Sequence, residues 1–286
     1  MSRTDDPAAM ADRLRSAPLE VVGRFADASN ATLLARLTDR DPRPLENLAA
    51  DLGREPELDD LAAHDLAVYK PARGERPLWD FPAGTLHRRE VAAHDLSVAL
   101  GWYQVPTTVL RPDGPFGPGS LQRYVAHDLA AHHFTLWEAG QPALRAQLEA
   151  MIAFDAVCNN ADRKAGHVLH VPDESPVPAL VAAAPAAAGV GPAPGRVWLI
   201  DHGVTFHPEP KLRTVAWELA GEPVPARLLA DLDRLREGLV GQLGAHLATL
   251  LADDEVAALE RRVVALLDSG RYPHPAVAQP YPWPLL

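Results

Sequence analysis

The stretch Asn160-Ala161-Asp162-Arg163-Lys164-Ala165-Gly166-His167, followed downstream by Ile200-Asp201-His202-Gly203, decides how this chain is interpreted. A phosphoryl-transfer site needs a group that orients the attacking hydroxyl, a cation for the phosphates and oxygen ligands for Mg²⁺. In this stretch Asp162 suits the base, Lys164 suits the transferring phosphoryl group and Asp201 suits the metal. The pattern therefore predicts the catalytic part of a phosphoryl-transfer site.

Lysine is used sparingly in the chain, whose only lysines are Lys70, Lys164 and Lys211, while the other basic residues are arginines. A lysine offers a compact charge on a flexible stem, which suits phosphate oxygens in a narrow site better than the planar fork of arginine does. Lys70 ends the apolar, strand-like run 66–69, and Glu90 lies on the next predicted helix. We predict that Lys70 binds nucleotide phosphates and that Glu90 orients it.

The composition excludes several classes of protein. The chain has 286 residues and a formal net charge of -11, with no long basic stripe, which argues against a nucleic-acid partner and against anionic membranes. The single Cys158 cannot form an internal disulfide. No charged-then-apolar leader opens the chain, and no apolar run approaches the roughly 20 residues that span a bilayer. We therefore expect a cytoplasmic protein without stable membrane insertion.

The alternation of apolar and turn residues predicts an α+β chain with a small antiparallel sheet lobe and a mainly helical C-terminal lobe. A strand pair at 168–171 and 197–200 would bring Asp162 and Asp201 close together. The other predicted elements are strands at 21–25, 32–37, 66–70, 105–110 and 120–125, and helices at 87–100, 142–158, about 225–250 and 253–268.

The domain boundaries follow from changes in composition along the chain. We predict a flexible lead-in over 1–18, an N-terminal lobe and hinge over 19–127, and a C-terminal lobe over 128–272. Within the C-terminal lobe, the Ala/Pro/Gly-rich segment 172–195 is typical of a flexible insertion at a hairpin tip. Residues 273–286 form a Pro/aromatic tail to which the sequence assigns no role.

The chain contains six short motifs in this order: Val68-Tyr69-Lys70-Pro71, Arg89-Glu90-Val91-Ala92-Ala93, Val105-Pro106-Thr107, Gly119-Ser120-Leu121-Gln122, Asn160-Ala161-Asp162-Arg163 and Ile200-Asp201-His202-Gly203. In these motifs and their order the chain resembles the phosphatidylinositol 3-/4-kinase superfamily, and most closely its type II phosphatidylinositol 4-kinases and their uncharacterised bacterial relatives. The resemblance covers roughly residues 65 to 220.

This resemblance implies a two-lobed protein-kinase-like fold that binds ATP between its lobes and uses Mg²⁺ or Mn²⁺. It implies that Lys70 is the ATP-phosphate lysine with Glu90 as its partner, that Asp162 is the catalytic-loop aspartate and that Asp201 is a metal ligand. His167, five residues after Asp162, stands where the family has an Asn metal ligand. The adenine-binding hinge would comprise Gln122, Arg123, Tyr124 and Val125.

The acceptor hydroxyl cannot be identified from the sequence. A small molecule, a lipid or a protein would each fit, the last as in the related HipA-type protein kinases. A nucleotide-binding pseudokinase that serves as a scaffold is the alternative, because His167 replaces the expected Asn. Protein partners are unknown.

Other segments of the chain contain residue types that occur in phosphate-binding, zinc-binding or hydrolase sites. Ser29 and Asn30, at the tip of the first predicted hairpin, would form a phosphate-facing loop. The Gly/Pro-rich segment 114–119 is typical of a connector, since its prolines lack the N–H donors that a phosphate loop needs. His127, Asp128, His132 and His133 do not match a common zinc-ligand spacing. No Gly-x-Ser-x-Gly elbow supports a serine hydrolase.

Overall fold

The structure, a computed structural model, describes residues 6–25, 30–38, 65–181 and 194–286. The chain divides into a sheet unit and a helical unit. The sheet unit comprises Met1–Val91 and Pro106–Ala126, and the helical unit comprises Ala92–Val105 and His127–Leu286. The segment 39–64 and residues 182–193, which are half of the predicted insertion over 172–195, lie outside the described residues.

The described strands of the sheet unit are β1 Leu19–Arg24, β2 Leu33–Leu37, β3 Leu66–Pro71, β4 Thr108–Gly114 and β5 Gly117–Arg123. They form an antiparallel sheet in the order β1-β2-β3-β5-β4. Alternate residues of a strand point to opposite faces, so Tyr69 enters the apolar core while its neighbour Lys70 leaves it. The first hairpin is confirmed and each predicted strand is present, but β4 begins three residues later and β5 three residues earlier than predicted, so that residues 117–119 of the expected connector belong to β5.

A helix, α1 (Pro7–Ser16), forms where the sequence predicts a flexible lead-in. Met10 and Leu14, four residues apart on one helical face, are buried in the core of the sheet unit. Arg111 Nη1 donates to the carbonyl groups of Leu14 and Ala17, each at 2.9 Å, which supplies donors to the C-terminal end of the helix. The polar composition of the segment conceals these two apolar anchors.

Helix α2 (Leu86–Ala99) is divided between the units, with Leu86–Val91 in the sheet unit and Ala92–Ala99 in the helical unit. The other described elements of the helical unit are α3 His133–Glu138, α4 Pro142–Cys158, β6 Val168–Val171, α5 Pro178–Val181, β7 Arg196–Leu199, α6 Ala226–Leu239, α7 Gln242–Leu247 and α8 Asp253–Ser269. Strands β6 and β7 form a two-stranded hairpin. The predicted helix over 142–158 and the predicted strand pair are confirmed, whereas the helix expected over 225–250 is divided at Gly241.

Two parts of the helical unit depart from the predicted organisation. Residues 92–105, expected in the N-terminal lobe, belong to the helical unit, because Trp102 Nε1 donates to Asp231 Oδ2 at 2.8 Å and Gln104 Nε2 donates to the Gln147 carbonyl at 2.9 Å. The expected flexible insertion contains α5, whose Leu180 is fully buried. In the described ranges no helix is long and apolar enough to span a membrane.

Candidate functional site

Lys70 and Glu90 form an ion pair within the sheet unit, in which Lys70 Nζ donates to Glu90 Oε1. Lys70 comes from β3, opposite Ser120 of β5, and Glu90 comes from the first half of α2. The Glu90 side chain is only 3% exposed, against 20% for Lys70. An ammonium group can donate three hydrogen bonds, and the one to Glu90 fixes the position of the Lys70 ammonium group.

The start of α2 is fixed by Glu75, whose Oε1 lies 2.7 Å from His87 Nδ1 and accepts the His87 backbone N–H at 2.9 Å. Burial raises the pKa of Glu75, but the hydrogen bonds from His87 and from the Leu86 backbone outweigh it and leave the pKa below its ordinary value. Two residues after His87, the Arg89 guanidinium lies 5.0 Å from the centre of the Phe81 ring. These contacts orient the helix that presents Glu90.

The four predicted adenine-binding residues are the last two residues of β5 and the two residues that follow it. Gln122 is buried and its Nε2 donates to Thr108 Oγ1 at 2.8 Å. The backbone N–H of Arg123 donates to the Thr107 carbonyl at 2.8 Å, and that of Tyr124 donates to the Leu66 carbonyl at 3.1 Å. Burial raises the pKa of the Tyr124 phenol. Val125, the last of the four, is buried.

Of the predicted phosphate-facing loop, Ser29 lies outside the described residues and Asn30 is tied to the segment after β3. Asn30 Oδ1 accepts the Arg76 backbone N–H at 2.7 Å, and the next residue, Ala31, donates to the Gly74 carbonyl at 3.0 Å. A Cβ on Gly74 would lie 2.4 Å from that of Ala31, so this close approach requires a glycine. The Asn30 oxygen is thus used in a contact within the sheet unit.

Asp162 and Lys164 are paired in the helical unit, on the loop between α4 and β6, with Lys164 Nζ 3.1 Å from Asp162 Oδ2. Burial raises the pKa of Asp162, Lys164 lowers it and the charge of Asp201 raises it, and the net result is a pKa above the ordinary value. The structure therefore brings Asp162 within electrostatic reach of Asp201, as the predicted strand pair requires. A carboxylate with a raised pKa is a stronger base.

Asp201 follows β7 and contacts His167, with 3.4 Å between Asp201 Oδ2 and His167 Nε2. The Asp201 backbone is left-handed, with φ of 59°, a conformation that aspartate tolerates better than most residues. The Lys164 backbone N–H donates to His167 Nδ1 at 3.5 Å, which assigns the ring proton to Nε2, facing Asp201. The His167 ring therefore lies beside the Asp201 carboxylate, and its role as a metal ligand stays a prediction.

A buried ion pair that the sequence analysis missed supports this loop. Arg163 is completely buried, and its Nε and Nη2 donate to the two carboxylate oxygens of Asp155 at 2.8 and 2.9 Å. Its Nη1 donates to the Ile200 carbonyl at 2.9 Å, and Nη2 also lies 2.8 Å from His202 Nε2. One side chain thus connects α4, the loop after it and the residue before Asp201. The available signal was a carboxylate, Asp155, in the apolar run 150–158.

Asn160 completes the support of Asp162. Its Nδ2 donates to Asp155 Oδ1 at 3.1 Å, and its Oδ1 accepts the Asp162 backbone N–H at 3.0 Å. Asn160 is fully buried, whereas the Asp162 side chain is 32% exposed. The loop therefore has a rigid interior and presents its carboxylate outward.

The Pro/aromatic tail also contacts this loop. The Leu285 carbonyl accepts the Ala165 backbone N–H at 2.8 Å. Further back, the Pro280 carbonyl accepts the Thr214 N–H at 3.0 Å and Trp217 Nε1 at 3.1 Å. The tail is thus hydrogen-bonded to the helical unit, although its aromatic residues Tyr281 and Trp283 are exposed. The sequence provides no signal for these contacts.

The histidines considered for zinc have other partners. His133 is buried and its Nε2 lies 2.8 Å from Glu218 Oε1, while Asp128 Oδ1 accepts the Ala130 N–H at 2.9 Å. No group of three or more His, Cys, Asp and Glu side chains in the described part of the chain could hold a metal ion. A cation at Asp201 would therefore need further oxygen ligands, which nucleotide phosphates commonly supply to Mg²⁺.

An antiparallel sheet lobe and a mainly helical lobe define a kinase-like fold. The chain is similar to the crystal structure of the Golgi casein kinase with Mn/ADP bound, with a TM-score of 0.53 and 14% identity over 96% of this chain and 81% of that chain. It is also similar to the structure of hydra Fam20 with sugar, with a TM-score of 0.50 and 14% identity over 93% of this chain and 89% of that chain. The predicted fold class is confirmed.

The sequence itself is similar to Protein Rv2133c of Mycobacterium tuberculosis (strain ATCC 25618 / H37Rv), with 35% identity over 318 residues that cover 99% of this chain and 96% of that protein. The chain belongs to the family of that protein. No protein-family model matches the present chain. The finer resemblance to the type II phosphatidylinositol 4-kinases stays a prediction.

The Asp155–Arg163 pair yields a stability prediction. Asp155→Ala leaves the buried Arg163 guanidinium without its carboxylate, and breaking such a pair costs about 3–5 kcal/mol. We expect the free energy of unfolding, measured by chemical denaturation, to fall by that amount. The control is Asp233→Ala, because the Asp233–Arg236 pair is exposed on α6 and should contribute under about 0.5 kcal/mol. Equal losses in the two variants would contradict the role given to Arg163.

Proposed function

We propose that this protein is an ATP-dependent kinase that transfers a γ-phosphoryl group to a hydroxyl of an unidentified small-molecule, lipid or protein substrate. The observation that carries the proposal is the Lys70–Glu90 ion pair, in which a half-buried lysine is held in place by a carboxylate that is itself almost fully buried. The kinase-like fold supports it. So do the six ordered motifs, which favour a member of the phosphatidylinositol 3-/4-kinase superfamily.

The proposed reaction assigns the nucleotide phosphates to Lys70 and the attacking hydroxyl to Asp162. The substrate oxygen forms a bond to the γ-phosphorus, the bond from that phosphorus to the β,γ-bridging oxygen breaks, and ADP leaves. The hydroxyl proton passes to the Asp162 carboxylate, whose raised pKa favours its acceptance. Lys164, 3.1 Å from Asp162, would stabilise the negative charge of the phosphoryl group in transfer.

The proposal includes a divalent cation, Mg²⁺ or Mn²⁺, held by Asp201. The Golgi casein kinase structure contains Mn and ADP, which supports a nucleotide and a divalent metal for the same fold. The Asp201 carboxylate is 44% exposed, and one carboxylate together with phosphates is a common ligand set for Mg²⁺. When bound, the cation would neutralise charge on the phosphates.

A second candidate function is a nucleotide-binding scaffold without transfer activity. The contact between His167 and Asp201 favours it, because it engages the proposed metal ligand and puts an imidazole where an oxygen ligand is expected. Both functions predict that the protein binds nucleotide, but only the kinase predicts that ADP is formed.

The roles of the two carboxylates are tested by Asp162→Asn and Asp201→Asn. We expect Asp162→Asn to reduce ADP formation by roughly 10²- to 10⁴-fold, since removal of a general base has effects of this size. Asp201→Asn should also reduce ADP formation, because it removes the proposed metal ligand. Only Asp201→Asn should also abolish the metal dependence of ATP binding in calorimetry. Binding without ADP formation by the wild type, across candidate acceptors, would favour the scaffold. Identical binding losses in both variants would refute the separate roles.

Lys70→Met tests the phosphate contact. We expect ATP to bind roughly 10- to 100-fold more weakly, because a hydrogen bond to a charged group is worth about 1.5–3 kcal/mol. Lys211→Met is the matched control, since Lys211 lies beside the exposed Glu209 and has no role in the proposed reaction. The thermal midpoint of each variant shows whether its fold is intact. Wild-type affinity in a folded Lys70→Met variant would remove Lys70 from the site.

His167→Asn tests the metal preference. An amide oxygen suits Mg²⁺, whereas imidazole nitrogen suits transition metals, so we expect the variant to shift the Mn²⁺/Mg²⁺ activity ratio toward Mg²⁺. His170→Asn is a control on the neighbouring strand, where the ring contacts the Pro194 carbonyl. An unchanged metal ratio in metal-titrated ADP release would show that His167 does not influence the cation.

A further inference from the structure

The helical unit contains a cavity of about 760 Å³ that the proposed reaction does not use. Its wall is formed by the end of α4, one face of α8, the segment 208–217 and the start of the tail, and none of Asp162, Lys164, His167 and Asp201 lines it. The lining is mostly apolar and includes Leu212, Trp217, Ala258, Ala265 and Leu266. Cavities of this volume accommodate small-molecule ligands.

All the charged residues that line the cavity are basic. They are Arg261, Arg262 and Arg271, accompanied by His274, and no Asp or Glu belongs to the lining in the described part of the chain. The chain as a whole carries 38 acidic and only 27 Lys and Arg residues, so this clustering runs against its composition. None of the three arginines forms a salt bridge with a described residue, although the chain offers many carboxylates.

Arg262 is the least exposed of the three arginines, and its guanidinium group is incompletely hydrogen-bonded. Its Nε and Nη1 donate to the carbonyl groups of Val157 and His207 at 2.7 and 3.1 Å, while its Nη2 is buried and has no partner among the described residues. Burial lowers the pKa of Arg262 to about 10 and the charge of Arg261 lowers it further, so the nearby carboxylate of Glu255, which raises it, offsets the cost of burial only in part. An anion in the cavity would add to this compensation.

We propose that this cavity binds a small amphipathic organic anion, with a carboxylate or phosphate head near the three arginines and an apolar body against Leu212, Trp217 and Leu266. The apolar wall favours a hydrocarbon or aromatic body, and three guanidinium groups in a lining without a carboxylate favour a negative head. This site is separate from the residues to which the phosphoryl-transfer reaction is assigned, so it stands whether or not that assignment holds.

The experiment is isothermal titration calorimetry of the full chain with four probes that share an eight-carbon body, each below its micelle concentration: octanoate, octyl phosphate, 1-octanol and octylammonium. We expect saturable binding of at least one anion at a single site, at least roughly tenfold tighter than the neutral and cationic probes, which is the worth of one charge-assisted hydrogen bond. Preference for octanoate or for octyl phosphate identifies the head group.

Two variants place the binding in the cavity. Ala265→Phe fills the cavity from an exposed position on α8 that tolerates a larger side chain, and Arg261→Gln removes one charge from an equally exposed position. Each should weaken anion binding by roughly tenfold or more, whereas Arg236→Gln, at an exposed arginine of α6 that does not line the cavity, should leave it unchanged. Equal affinity for 1-octanol, the absence of saturable binding, or full affinity in Ala265→Phe would overturn the proposal.

Discussion

The buried ion pair between Arg163 and Asp155 is the interaction on which the helical unit's candidate site depends. Removing these two charges from water costs free energy. The bidentate hydrogen bonds at 2.8 and 2.9 Å, together with the contacts of Arg163 to Ile200 and His202, compensate for this cost. Because the same guanidinium contacts the end of α4 and the residue before Asp201, displacement of either segment would leave a buried charge unpaired. The positions of Asp162 and Asp201 are thereby coupled through one side chain.

The sheet unit solves a similar problem with a different residue type. Glu90 is almost fully buried, and its charge is tolerated because Lys70 reaches it from β3. The pleat of β3 makes this possible, since Tyr69 anchors the strand in the core and thereby directs Lys70 to the opposite face. The stability of that strand therefore decides where the ammonium group lies, and a lysine on a loop would have no such constraint.

The sequence predicts most of the strands, the hairpin of the helical unit and the residues of the candidate site, because these depend on local periodicity and on rare residue types. It does not predict what depends on distant contacts. Helix α1 is specified by two apolar residues and by Arg111, some 94 residues or more away, and residues 92–105 join the helical unit through Trp102 and Gln104. The support that Arg163 gives to the loop is invisible for the same reason: an Asp-Arg sequence pair is more often a surface pair.

The electrostatics of the loop explain why a divalent cation belongs in the proposal. Asp162 and Asp201 each raise the cost of charging the other, and the protein offsets this with Lys164 beside Asp162 and with His167 beside Asp201. The guanidinium group of Arg163 adds a positive charge that acts on both carboxylates. A divalent cation at Asp201 would offset the charge of that carboxylate and would leave Asp162, beside Lys164, available as a base.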